Sequence, residues 1–158
     1  MKYISTFLVF LSFIFAGCNT QPPQDFTLVF TMESILIYKV SIKIDKDKTY
    51  RISQQNMLFD SNPEDINKIF EGTMTDEEHS ELSELIMQSR LFRMKNSYGF
   101  DKEPDTQNPL DGLIYQLSFT QGKKTKYISI RVNAKDTYPE TFLRLIGFLN
   151  DYISVGQK

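Results

Sequence analysis

Between Leu36 and Asp45 apolar and polar side chains alternate: Leu36, Tyr38, Val40, Ile42 and Ile44 on one side, Lys39, Ser41, Lys43 and Asp45 on the other. That two-residue period predicts a strand with one dry and one wet face. Asp45-Lys46-Asp47-Lys48 reads as a turn, and Thr49 to Ser53 resumes the alternation, completing a hairpin. Residues 67–73 (NKIFEGT) predict a shorter third strand. Thr75 and Glu78 have the spacing of a capping box, in which the Thr hydroxyl and the Glu carboxylate each take one orphan N–H. The helix they open carries Leu82, Leu85, Ile86 and Ser89 on one face.

A loop over 96–111, rich in Pro, Asn and Asp, separates this helix from a second hairpin. In that hairpin Leu113, Tyr115, Leu117 and Phe119 face one way, the turn falls at Gln121-Gly122-Lys123, and Ile128, Ile130 and Val132 return. Thr137 and Glu140 repeat the capping-box spacing, with Pro139 between them, before a stripe of Phe142, Leu145, Ile146, Leu149, Tyr152 and Ile153 at helical period. Two one-sided helices and paired strands leave few ways to bury their apolar faces. The expected fold class is therefore α+β: a two-layer sandwich, an antiparallel sheet of four or five strands with two helices on one face, in the order ββ(β)αββα.

The first residues have a different character. Lys2 precedes an apolar run over 4–16, and the small residues Ala16 and Gly17 stand before Cys18, the single cysteine of the chain. That layout reads as a cleaved export signal. It is shorter than the roughly 20 apolar residues a spanning helix needs. Phe15-Ala16-Gly17-Cys18 resembles the lipobox of bacterial lipoproteins, with Phe where an aliphatic residue is usual. The resemblance implies cleavage before Cys18, acylation of its sulfur and its amine, and a membrane partner held through lipid. With Asn19 rather than Asp next, it also implies the outer membrane, periplasmic side, as the place in the cell envelope. Residues 1–17 are then the signal, 18–25 a Pro-containing linker, and 26–158 a single domain. The mature chain would have 141 residues, with 17 basic against 20 acidic ones, and no thiol left for a disulfide. This balance gives no electrostatic footprint for nucleic acid.

Gly72-Thr73-Met74-Thr75-Asp76-Glu77-Glu78, followed by Leu82, Phe92 and Asn96-Ser97-Tyr98-Gly99, resembles a domain of unknown function found in small bacterial lipoproteins. The resemblance implies the element order above, and neither an activity nor functional residues.

Catalytic chemistry finds little support. His79, the sole histidine, lies among Glu77, Glu78 and Glu81 at a helix start and reads as a solvated surface residue. Acids near that start are explained by the helix macrodipole. Asp101, Glu103 and Asp105 begin the spacing of a calcium loop, but Thr106 stands where Gly is needed and Gly112 where the bidentate Glu belongs. No metal, no cofactor and no enzyme activity are expected. The alternatives are a carboxylate-dependent envelope hydrolase using those three acids, or an inhibitor of an envelope enzyme.

Binding is the stronger expectation. Lys39, Lys43, Arg51 and Arg131 would share the wet sheet face with Gln116 and Tyr127, giving a basic, hydrogen-bonding surface for an envelope protein or an anionic polymer. Tyr98 and Phe100, at the start of the long loop, are the second candidate.

Overall fold

The computed structural model describes residues 21–34, 38–56, 67–100, 112–132 and 138–155. Four strands come first: β1 (Thr27–Ser34), β2 (Tyr38–Ile44), β3 (Thr49–Asn56) and β4 (Asn67–Thr73). Helix α1 (Asp76–Ser89) follows, then β5 (Ser97–Tyr98), β6 (Leu113–Gln121), β7 (Lys124–Arg131) and helix α2 (Glu140–Val155). The seven strands form one sheet in the order β4-β3-β2-β1-β6-β7-β5.

The α+β class expected from the pattern is present, but the strand count and order are corrected. The sheet has seven strands rather than four or five, and it is mixed, because β5 runs parallel to β7. The two unexpected strands are β1 and β5. The first is the central one, pairing antiparallel with both β2 and β6 and so joining the two hairpins into a continuous sheet.

Register places one residue set on the dry face. Phe30 lies opposite Ile42 on one side and Leu117 on the other, and Ile52 and Ile128 extend that row outward. All five are buried. The helices cover them with Leu82, Leu85 and Ile86 of α1 and Phe142, Leu145, Ile146, Leu149 and Ile153 of α2.

Both capping groups expected at α1 are engaged. The Glu78 N–H donates to Thr75 Oγ1 at 3.2 Å, and the Thr75 N–H donates to Glu78 Oε2 at 2.7 Å. At α2 the carbonyl of Pro139 accepts from Phe142 and Leu143, so proline stands just before the helix, while Thr137 lies outside the described residues. The helices are tied together at both ends. Ser89 Oγ donates to the Thr141 carbonyl at 3.0 Å, and the Tyr152 hydroxyl donates to Glu78 Oε2 at 3.2 Å. They therefore run antiparallel, and two buried serines, Ser83 and Ser89, keep α1 thin by bonding its own carbonyls.

The turns have local causes. Lys48 takes φ 67° and donates its N–H to the Asp45 carbonyl, while Asp47 accepts from the N–H and hydroxyl of Thr49. Gly122 takes φ 58° in the first position of the two-residue β6–β7 turn, where glycine carries no steric cost.

Candidate functional site

The sheet's second face is covered by no described element, and its register can be read row by row. Lys39, Glu33, Ile114 and Arg131 form one row across β2, β1, β6 and β7. The next holds Ser53, Ser41, Thr31, Gln116 and Ser129, and the next Arg51, Lys43, Val29, Ser118 and Tyr127. Each of the six sheet residues expected to share the wet face stands on it. They are dispersed, however: with strands about 4.8 Å apart, Arg51 and Tyr127 are separated by roughly 19 Å.

Charge on this face differs from the basic surface expected. Lys39 pairs with Glu33 at 3.5 Å, Lys43 with Asp45 at 2.7 Å and Arg51 with Glu71 at 2.9 Å. Two of these acids come from strand positions opposite the cation, in β1 and β4, and the third, Asp45, stands just past the end of β2, two residues after Lys43. The pairs are exposed and contribute little stability. Their effect is on recognition, since Lys39, Lys43 and Arg51 each already face a carboxylate.

The β6–β7 half is different in kind. Tyr127 is 66% exposed, and beside it Gln116, Ser118, Ser129 and Thr31 line a shallow depression of about 190 Å³. The Arg131 guanidinium lies over the Phe100 ring, 4.9 Å from its centroid. Stacking of this type holds the cation in place against the ring. A residue of the long loop and a residue of the sheet face thus meet at one edge.

Tyr98 does not belong to this surface. It is 7% exposed, its hydroxyl accepts from the Lys95 N–H at 3.1 Å, and its ring meets Tyr138 edge-on at 5.2 Å. Pairing of β5 with β7 turns it to the helix side, in register with buried Ile130. Asp101, Glu103 and Asp105, the acids of the hydrolase alternative, lie outside the described residues.

His79 is also corrected, from a solvated residue to a buried one. It is 3% exposed and stacks on Phe26, with ring centroids 5.2 Å apart and an interplanar angle of 11°. The reason is its spacing: His79 precedes Leu82 by three residues and Ile86 by seven, which is the core stripe of α1. Its Nε2 is buried and has no hydrogen-bond partner among the described residues. Burial pushes the imidazole below its usual pKa, Lys48 adds to this, and Asp76 opposes it.

A base lowered in the folded state takes its proton first in the unfolded chain. The stability contributed by the neutral ring is therefore complete above the unfolded value of 6.5 and is lost as pH falls from there through the folded value. His79→Phe keeps the stack and removes the titration. Urea midpoints followed from about pH 7 to about pH 5 are expected to fall more steeply for the native chain than for the variant. Parallel curves would contradict the buried placement.

No family model matches this chain, and no curated protein does.

Proposed function

We propose that this chain is a non-enzymatic binding module of the cell envelope, held by lipid on Cys18, that engages another envelope protein through the β6–β7 half of its open sheet face. The observation that carries the binding part is Tyr127, two-thirds exposed in a surface no described element covers, beside a row of hydroxyl and amide groups. Tyr and Arg are enriched at the centres of protein interfaces, because each offers a large rigid contact area with a polar end. Tyr127 and the stacked Arg131 supply that chemistry on one strand. An acidic polymer is the weaker fit, since Lys39, Lys43 and Arg51 each already face a carboxylate. The lipid anchor is supported by the small-small-Cys order at the end of the apolar run, and the periplasmic face of the outer membrane by Asn19.

A photo-crosslinking residue at Tyr127, installed in intact envelopes, is expected to give a discrete adduct absent when the same probe replaces Leu143, which is also exposed, on the helix layer. Tyr127→Ala is expected to weaken capture of that partner by about tenfold or more. No adduct at Tyr127, or the same adduct at Leu143, would overturn the assignment.

A further inference from the structure

Cations that have no carboxylate partner among the described residues collect around Gln21 and Pro23. Gln21 and Pro23 line a groove of about 380 Å³, opposite Phe119 and Gln121 of β6, and Arg90 and Arg93 help to wall it. Phe92, between those arginines in sequence, is 43% exposed with its ring tilted against Phe119 at 5.4 Å. Lys123 and Lys124 continue directly from Gln121 through the β6–β7 turn, and both are exposed. Lys126 donates to the Met94 carbonyl and to Asn96 Oδ1, which fixes the segment carrying Lys95 to the same corner.

Arg90 and Arg93 have a local reason to be there, since cations are favoured at a helix C-terminus. Lys123 and Lys124 have none. Among the described residues, Arg90, Arg93, Lys95, Lys123 and Lys124 form no ion pair with a carboxylate, whereas Lys39, Lys43 and Arg51 of the open face do. A cluster of cations around an exposed aromatic, with no carboxylate partner among the described residues, is suited to a flat anionic surface into which the ring can dip.

Chain length adds a constraint that rests on the lipid anchor proposed above. Cys18 is three residues from Gln21, a span of at most about 11 Å. Acyl chains on Cys18 would therefore enter a bilayer close to this groove.

We infer that the corner formed by Arg90–Lys95 and the β6–β7 turn lies on the anionic headgroups of a phospholipid bilayer. β1 begins at this end of the sheet and β6 finishes there, so the strands rise away from the membrane. The open face with Tyr127 is then presented sideways rather than pressed against lipid.

The test uses the mature chain, residues 18–158, with Cys18→Ser, so that neither acylation nor the apolar run over 4–16 plays a part. Sedimentation with phosphatidylglycerol-containing vesicles at low salt is expected to pellet it, and pure phosphatidylcholine vesicles to leave it in solution. Each Lys or Arg near such a surface is worth about fivefold, so Arg93→Glu with Lys123→Glu and Lys124→Glu should reduce binding on the order of a hundredfold or more. Lys39→Glu with Lys43→Glu and Arg51→Glu makes the same change in net charge on the open face and should retain most of it. Circular dichroism checks that both variants fold. Failure of the Cys18→Ser chain to bind anionic vesicles, or equal losses in both variants, would overturn the inference and leave the anchor untouched. Binding by that chain together with an unacylated native Cys18 would remove the anchor and leave the basic corner standing.

Discussion

Phe30→Ala is expected to remove about 3–5 kcal/mol of stability, a large share of the roughly 5–15 kcal/mol that holds a domain folded. Phe30 is fully buried at the middle of β1, opposite Ile42 and Leu117, with Tyr115 meeting its ring at 5.5 Å. Truncation there empties the centre of the core rather than its rim. Neighbours cannot close the void easily, because β2 and β6 are both fixed by ladders to β1 and the helices are pinned to each other at their ends. Urea unfolding followed by circular dichroism reads the loss. A change below about 1 kcal/mol would mean that β1 does not occupy the centre of the sheet.

The second large effect concerns placement in the cell. On the proposed reading, Cys18→Ser in a chain exported by an ordinary cleavable signal in place of residues 1–17 is expected to move the protein almost completely from the membrane pellet to the soluble fraction. More than one acyl chain, at about 0.8 kcal/mol per buried methylene, makes the anchor effectively permanent, while a patch of surface cations is reversible and weakened by salt. Fractionation at high salt separates the two contributions. The native chain should stay with the membrane and the variant should be released; a native chain washed off by salt would show that charge alone holds it.

Local pattern carried much of the architecture. The strand over 67–73, the first hairpin, the capping box at Thr75 and the stripe of the last helix are each written within a few residues, and each stands where its pattern placed it. The central strand was harder to read. Leu28, Phe30 and Met32 do alternate, but Val29 puts an apolar side chain on the open face and blurs the period. Its central position comes from pairing with β6, almost ninety residues later in the chain. β5 has two residues, too few to show any period.

The site was legible in its membership but not in its electrostatics. Alternation correctly put Lys39, Arg51 and Tyr127 on one face. The neutralising partners Glu33 and Glu71 depend on cross-strand register, which one sequence does not display. His79 could have been assigned to the core from its spacing to Leu82 and Ile86; its acidic neighbours drew attention to the wrong face. The basic corner draws on the end of α1, a hairpin turn and the entering chain, segments that only the fold brings together.

The tether is the claim on which location in the envelope depends, and the mass of the N-terminal peptide of the purified native protein tests it most directly. The expected result is a chain that begins at Cys18 and carries fatty acid on its sulfur and its amine. A peptide that retains residues 1–17, or a Cys18 with a free thiol, would contradict it.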